Sequence, residues 1–194
     1  MSSLEARLET ILRAAPTMMR ALSIARDLDL PDWLIVSGAV YQRVFNHLTG
    51  RDPDHGIKDY DLVYYDASDT SYEAEDAVIK RAAAAYPPPL DALVEVRNQA
   101  RVHLWFEGKF GEPYAPLSCS AAALERFVSP VFAVAVRLEA DDRLTIVAPF
   151  GLDDLFAMRM RPNPIRRTGG FDRVADNLTK RWPELSVERD QPAA

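Results

Sequence analysis

Two aspartates one residue apart, Asp59 and Asp61, are the residues whose types and spacing best suit chemistry. They stand at the head of a hydrophobic run that should form a β-strand. Side chains at positions i and i+2 of a strand share a face, so the two carboxylates should point the same way. Two anions held this close call for a cation, and Mg²⁺ prefers carboxylate oxygens and substrate phosphates. The pair therefore indicates phosphoryl or nucleotidyl chemistry.

Two other segments could complete such a site. Ser37 and Gly38 follow a short, mostly β-branched run and should turn the chain into a helix, where backbone N–H groups and the helix N-terminus can approach a phosphate. Glu95 belongs to a third predicted strand and could bind a metal or accept the proton of an attacking hydroxyl. If the three strands are neighbours, Asp59, Asp61 and Glu95 could bind two Mg²⁺ ions ~3.5–4 Å apart.

Arg97, Asn98 and Arg101 follow this glutamate closely and are candidates for holding a triphosphate or a base. Guanidinium groups match the geometry of phosphate oxygens. The same side chains could instead pair with Asp66 or Glu73, and the sequence leaves both interpretations open.

Composition and charge limit the partners. Hydrophobic residues make up 48% of the 194-residue chain and charged residues 27%, which is typical of one globular domain. The net charge of −6 argues mildly against broad nucleic-acid binding, so a small-molecule or protein acceptor is favoured over RNA. No apolar run is long enough for a signal peptide or a membrane span, and we expect a cytoplasmic protein without a membrane partner.

Several other motifs favour structural roles. Trp105 and Phe106 could stack on a nucleobase, but beside other apolar residues they are expected in the core. Asp153 and Asp154 stand at a predicted helix start, where carboxylates usually cap N–H groups. The basic residues within 159–167, with Arg173, Lys180 and Arg181 after them, could meet polyphosphate or RNA, although a solvated, partly paired face is favoured.

The spacing of apolar residues and breakers predicts an α+β fold, with a small mixed sheet flanked by helices and an N-terminal helical pair. Residues 1–30 are expected to form the helical pair packed on the core, 31–187 the main domain, and 188–194 a flexible tail. The predicted elements are helices at about 3–29 (two), 38–49, 71–85, 98–108, 120–127, 150–161 and 171–181, and strands at about 34–36, 59–66, 93–97, 131–139 and 144–148.

The order Ser37-Gly38, helix, Asp59-Tyr60-Asp61 resembles the signature of the DNA polymerase β nucleotidyltransferase superfamily. This chain has 20 residues between Gly38 and Asp59, more than that superfamily usually has, and its Ser-Gly order reverses the usual Gly-Ser.

A closer resemblance, to a bacterial nucleotidyltransferase family within that superfamily, covers almost the whole chain. The blocks that support it are 58–66, 95–105, 148–156 and 161–164. This resemblance implies the nucleotidyltransferase fold, with Asp59, Asp61 and Glu95 as metal-binding carboxylates.

The predicted function is Mg²⁺-dependent transfer of a nucleoside monophosphate from an NTP, such as ATP, to an unidentified hydroxyl or phosphate acceptor, with release of pyrophosphate. Mn²⁺ could replace Mg²⁺. In this hypothesis Ser37 and Gly38 seat the phosphates, and Arg97 or Arg101 neutralises charge. The alternative is a catalytically silent nucleotide-binding sensor or a protein-interaction module. The sequence leaves the acceptor, the preferred NTP and the oligomeric state open.

Overall fold

The computed structural model describes residues 3–166 and 169–189. Its α-helices are α1 (Ser3–Arg13), α2 (Pro16–Asp27), α3 (Gly38–Leu48), α4 (Tyr72–Ala85), α5 (Phe106–Phe110), α6 (Asp153–Phe156) and α7 (Phe171–Arg181). The strands are β1 (Leu34–Val36), β2 (Tyr60–Tyr64), β3 (Val94–Asn98), β4 (Ala135–Leu138), β5 (Leu144–Val147), β6 (Arg159–Met160) and β7 (Ser186–Val187). Short 3₁₀ helices cover Leu90–Ala92, Gln99–Leu104, Ala121–Arg126 and Pro130–Phe132.

The central sheet has five strands in the order β3-β2-β1-β4-β5. Strands β2 and β3 are parallel, and the other neighbouring pairs are antiparallel. The long connection through α4 is what allows the parallel pair, because parallel neighbours need a crossover. Strands β6 and β7 form a separate parallel pair. The predicted α+β class with a mixed sheet is confirmed.

One face of the sheet carries the main core. Ile35, Leu62 and Val96 lie at facing positions of the three strands β1, β2 and β3 and are at most 3% exposed. The N-terminal helices bury their apolar stripe in the same core, including Leu8 and Leu22 at 0% exposure. Burying one such side chain contributes about 1.5–3 kcal/mol, so these helices are held mainly by their apolar faces.

The opposite face of the sheet is more sparsely covered. Val36, Val63 and Ala135 form a smaller cluster there with Leu124, which comes from the segment between β3 and β4. Asp61 lies two residues before Val63 and therefore on this same face. The face that carries the acid is thus the one covered by residues 99–132.

A buried arginine fixes the loop that leads into β2. The Arg43 side chain has no solvent exposure and donates hydrogen bonds to the Asp54 carboxylate and the Tyr60 hydroxyl, each at 2.5 Å. It also donates to the Ala39 carbonyl oxygen at 2.5 Å. These bonds tie α3 to the residues on both sides of Asp59, and so position the start of β2 against α3.

Most predicted elements are confirmed, and α7 has the predicted boundaries. The helix predicted at about 150–161 is wrong beyond Asp153–Phe156, since Arg159–Met160 is a strand. Side chains cap two of these helical segments, since the Ser71 hydroxyl accepts from the Ala74 N–H and the Asn98 side chain accepts from the Ala100 N–H. Strand β4 begins only at Ala135, because a 3₁₀ turn occupies the preceding residues. The two-residue strands β6 and β7 were not predicted, since such short segments carry no periodicity.

Part of the predicted tail, 190–194, lies outside the described residues, as does Arg167 of the basic stretch. Among the helices of the described ranges, none combines the length and apolarity needed to cross a membrane.

Candidate active site

The three strands that carry the predicted site residues are adjacent. Asp61 in β2 lies opposite Val36 in β1 on one side and opposite Glu95 in β3 on the other. Residues in register on neighbouring strands point to the same face, with strands ~4.8 Å apart. The predicted meeting of Asp61 and Glu95 from separate parts of the chain is therefore what the structure shows.

The surroundings of Asp61 disfavour its charge. Burial, together with the negative charges of Asp59 and Glu95, raises the pKa of Asp61 from 3.8 to about 6, although the positive charge of Arg97 acts in the opposite direction. The two other carboxylates are thus close enough to act electrostatically on Asp61. A bound cation would relieve this repulsion.

Asp59 reaches the glycine turn. The strand begins at Tyr60, so Asp59 immediately precedes β2 instead of lying in it. A Cβ atom built on Gly38 would lie 3.5 Å from the Asp59 Oδ1 atom and 3.2 Å from the Gln42 Nε2 atom. The absence of a side chain at Gly38 therefore leaves the space between the first turn of α3 and the carboxylate open to a ligand.

Ser37 forms the sharp turn between β1 and α3. Its φ of 53° and ψ of −108° are unusual for a residue with a side chain, and such strain costs on the order of 1–3 kcal/mol. Its N–H donates to the Val134 carbonyl at 2.8 Å, so this N–H belongs to the sheet. Val40 and Tyr41 donate to the Ser37 carbonyl, and the N–H groups of Gly38 and Ala39 have no acceptor within the helix.

Arg181 borders the same turn, whereas the sequence placed it only among the basic residues of the C-terminal stretch. Its guanidinium donates to the Gln42 Oε1 atom at 2.7 Å and to the Gly56 carbonyl oxygen. Burial raises the pKa of Tyr41 to about 12, and the positive charge of Arg181 acts in the opposite direction. Only the tertiary fold brings the last turn of α7 next to α3, so no local signal could have identified this arginine.

Arg97 and Arg101 have different environments. Arg97 lies 3.8 Å from Glu95 with its side chain 46% exposed, and it lines a cavity beside Asp61. Arg101 instead forms a buried ion pair with Glu75 and donates to the Thr70 carbonyl at 3.2 Å. The charge of Arg101 is therefore paired with Glu75, and the alternative interpretation that this guanidinium pairs with a carboxylate of the fold describes it better than nucleotide binding does.

Asp154 and the first arginines of the basic stretch form ion pairs with one another. Asp154 is buried, and its carboxylate accepts from Arg159 at 2.5 Å and Arg161 at 2.6 Å. The predicted capping role is wrong for Asp154, because the hydrogen bonds go to these guanidinium groups. The paired interpretation of the basic stretch is confirmed for Arg159 and Arg161.

A cavity of about 600 Å³ opens beside Asp61. Its walls are rich in aromatic residues, most of which come from the segment between β3 and β4. The prediction that Trp105 and Phe106 belong to the core is wrong, since both line the cavity and neither is fully buried. The aromatic residues in the wall are Tyr41, Trp105, Phe106, Phe110, Tyr114, Phe127 and Phe132.

The carboxylate oxygens of Asp59, Asp61 and Glu95 are the donor type that Mg²⁺ prefers. As the side chains stand, no three His, Cys, Asp or Glu side chains within 3–166 and 169–189 are grouped tightly enough to hold a metal ion. The Glu95 side chain is 59% exposed and lies near Arg97, so it is free to change rotamer. The donor types of the three acids and the strand register of Asp61 with Glu95 would suit a divalent ion once the Glu95 side chain turned towards Asp61.

Comparison with known proteins identifies the family and the fold of the chain. A family model described as nucleotidyltransferase matches residues 23–187, and the chain therefore belongs to this nucleotidyltransferase family. An NMR structure described as a CCA-adding enzyme head domain is similar to the chain, with a TM-score of 0.76 and 25% identity over 94% of this chain and 96% of that one. The resemblance and the fold inferred from sequence are thereby confirmed.

Two larger structures also match, at 18% identity over 87% of this chain. One is a tRNA-processing enzyme complex, with a TM-score of 0.48, and the other a tRNA nucleotidyltransferase complexed with a primer tRNA and an ATP analogue, with a TM-score of 0.46. The chain spans 43% and 46% of their lengths, respectively. No curated protein sequence matches the chain.

Proposed function

We propose that this nucleotidyltransferase catalyses Mg²⁺-dependent transfer of a nucleoside monophosphate from an NTP to a hydroxyl or phosphate acceptor and releases pyrophosphate. The observation that carries the proposal is the register of Asp61 with Glu95 on adjacent strands, with Asp59 beside the Gly38 turn. Three carboxylates gathered beside a helix N-terminus suit a metal-bound triphosphate.

The acids have separate roles in this proposal. Asp59 and Asp61 would hold Mg²⁺, or Mn²⁺ in its place, and Glu95 would complete the site or accept the acceptor's proton. A bound divalent ion supplies positive charge to the triphosphate and to the departing pyrophosphate. Arg97 reduces the repulsion among the acids, because its positive charge opposes the upward shift in the pKa of Asp61.

The phosphates would lie at the first turn of α3. Gly38 leaves room there, and the N–H groups of Gly38 and Ala39 can donate to phosphate oxygens. The Ser37 hydroxyl can add one donor, since its oxygen makes no capping hydrogen bond. Arg181, which holds Gln42, adds positive charge at the same end of the site.

In the reaction, an acceptor oxygen forms a bond to the α-phosphorus as the bond between this phosphorus and the bridging oxygen to the β-phosphate breaks. The leaving group is pyrophosphate, and the acceptor's proton passes to Glu95 or to water. The acidic net charge of −6 favours a small-molecule or protein acceptor over long RNA. The similarity to a CCA-adding enzyme head domain makes tRNA the RNA to include in a test.

The test measures pyrophosphate release from each NTP with Mg²⁺ or Mn²⁺ and with pooled small-molecule, protein and tRNA acceptors. We expect release that EDTA abolishes and that Asp61→Asn reduces at least a hundredfold. Release that is insensitive to EDTA, or no release in any combination, would contradict the proposal. Thermal stabilisation by Mg²⁺-ATP without any release would instead support the silent sensor.

A further inference from the structure

We propose that the aromatic cavity beside Asp61 is the acceptor subsite, and that the acceptor is a low-molecular-mass compound with a planar aromatic body and an anionic group. This inference rests on the proposed function and names the class of the second substrate. The acceptor's hydroxyl would lie at the Asp61 and Glu95 end of the cavity, and its anionic group among the arginines of the wall.

The cavity borders the part of the sheet surface that carries Asp61. Val36 and Val63, the neighbours of Asp61 on the same sheet face, form its floor. Arg97 lies two residues after Glu95 on the same face of β3 and also lines the cavity. A molecule that fills this space therefore contacts the strand surface on which both acids stand.

The walls suit a flat ring system. Phe106 lies 4.7 Å from Phe110 and 4.4 Å from Tyr114 between ring centroids, and Trp105 lies 6.1 Å from Phe106. Phe110 is 55% exposed although it lines the cavity, so part of this aromatic surface faces solvent. A planar aromatic guest would bury this surface and gain stacking contacts with the rings.

The charges of the wall favour an anion. Among the described residues of the lining, Asp61 is the one acid, whereas Arg97, Arg126 and Arg166 are basic. Arg166 is held by Glu112 at 2.9 Å, while the Arg126 guanidinium lies over the Tyr114 ring at 5.4 Å and forms no ion pair within the described part of the chain. Arg126 is thus the cation best placed for a carboxylate or phosphate of the acceptor.

The triphosphate and the aromatic guest would approach Asp61 from different sides. Gly38, Gln42 and Arg181 form the polar side of the site and lie outside the cavity lining, whereas Ser37 borders both sides. The volume of about 600 Å³ falls within the ~300–1,000 Å³ usual for pockets that bind drug-sized ligands. This is ample room for an acceptor separate from the NTP, which is why we assign the cavity to the acceptor.

The first experiment titrates the protein with the aromatic anion 8-anilinonaphthalene-1-sulfonate and follows probe fluorescence. We expect one saturable site, at least tenfold weaker in Ala123→Trp, which places an indole in the cavity wall. The matched control is Ala122→Trp on the same 3₁₀ helix, outside the lining, which should bind as the native protein does. Arg126→Met should weaken binding at least fivefold, whereas the exposed Arg143→Met should not.

The second experiment separates acceptor from nucleobase. Mg²⁺-ATP should bind without displacing the probe, and aromatic hydroxycarboxylates such as 4-hydroxybenzoate should displace it and raise pyrophosphate release at least fivefold. Competitive displacement of the probe by ATP would assign the cavity to the nucleobase and overturn the proposal. Equal weakening in both tryptophan variants, or stimulation by tRNA alone, would also overturn it.

The two proposals fail separately. Probe binding is measured without turnover, so a cavity that binds the probe as expected in a protein that never releases pyrophosphate contradicts the enzymatic proposal alone. Pyrophosphate release that persists in Ala123→Trp with every effective acceptor contradicts the acceptor subsite alone. Melting temperatures within 3 °C of the native value identify the variants that remain folded.

Discussion

Asp61 lies directly opposite Glu95 on the adjacent parallel strands β2 and β3, on the sheet face that the aromatic cavity borders. These residues are more than thirty positions apart in sequence, and the crossover through α4 brings them together. Because Asp59 reaches the turn at Gly38, the three acids connect the helix that would hold a triphosphate with the cavity that would hold an acceptor. If the acids, the first turn of α3 and the cavity form one site, substitutions in each part should alter turnover or substrate binding.

Removing either aspartate should abolish turnover. Asp59→Asn and Asp61→Asn each lose a negative oxygen that a metal needs, and we expect kcat/KM to fall at least a hundredfold, about 2.7 kcal/mol of transition-state stabilisation. Asp66→Asn is the matched control, since its carboxylate accepts from the N–H and the hydroxyl of Ser68, beyond the far end of β2. Activity in the Asp66 variant should stay within threefold of native, and an equal loss in all three would count against a specific role of the pair.

The pH dependence of the free energy of unfolding should reveal the raised pKa of Asp61. The pKa of Asp61 is raised from 3.8 to about 6, so the folded state holds its proton more tightly than the unfolded state. The stability this contributes is full below pH 3.8 and is lost as the pH rises through about 6.

In EDTA at pH 8, Asp61→Asn should therefore unfold with a free energy about 1–3 kcal/mol larger than native, and the two should converge near pH 4. Urea titrations across this range measure the difference. Identical curves for both proteins at every pH would show that the acid is not held in a desolvated, repulsive setting.

Gly38→Ala should weaken NTP binding. The new methyl group would lie 3.2 Å from the Gln42 side chain and 3.5 Å from the Asp59 carboxylate, so it occupies the space assigned to the phosphates. We expect KM for the NTP to rise at least tenfold. Gly108→Ala, where a Cβ meets nothing within 4 Å, should leave KM unchanged. An unaltered KM in the Gly38 variant would remove the glycine turn from the phosphate site.

Substitution of Arg101 should affect mainly stability, and substitution of Arg97 should affect mainly activity. Arg101→Met leaves the buried Glu75 without its partner and should cost about 3–5 kcal/mol of unfolding free energy, with little change in KM for the NTP in protein that stays folded. Arg97→Met should change stability by less than about 1 kcal/mol, because its pair with Glu95 is exposed, but should reduce kcat. Denaturant titration and steady-state kinetics on both variants make the comparison, and a reversed pattern would contradict the site described here.

The strand acids and the glycine turn were predictable from sequence because each rests on a local rule. Side chains alternate between the two faces of a strand, so Asp61 and Val63 share a face, and a glycine after a β-branched run indicates a strand-to-helix turn. The contribution of Glu95 needed one further assumption, that β3 neighbours β2, and the long α4 crossover supports it.

The remaining parts of the site depend on tertiary contacts. Arg181 reaches Gln42 across 139 positions of sequence, and nothing near either residue signals the contact. The aromatic cluster around Phe106 could not be distinguished from a core segment. Apolar periodicity indicates that a residue is buried, but it does not show whether that residue packs against other side chains or lines a cavity. Arg101 was assigned to the nucleotide because a guanidinium signals an anion, and only the fold shows that the anion is Glu75.

The most direct test of the central claim follows two phosphorus labels through one reaction. The native protein is incubated with Mg²⁺, acceptor and an NTP labelled at either the α- or the γ-phosphorus. Nucleotidyl transfer predicts that the α-label moves to the acceptor while the γ-label leaves in pyrophosphate, and that Asp61→Asn shows neither. Transfer of the γ-label to the acceptor, or α-transfer that survives in Asp61→Asn, would contradict it.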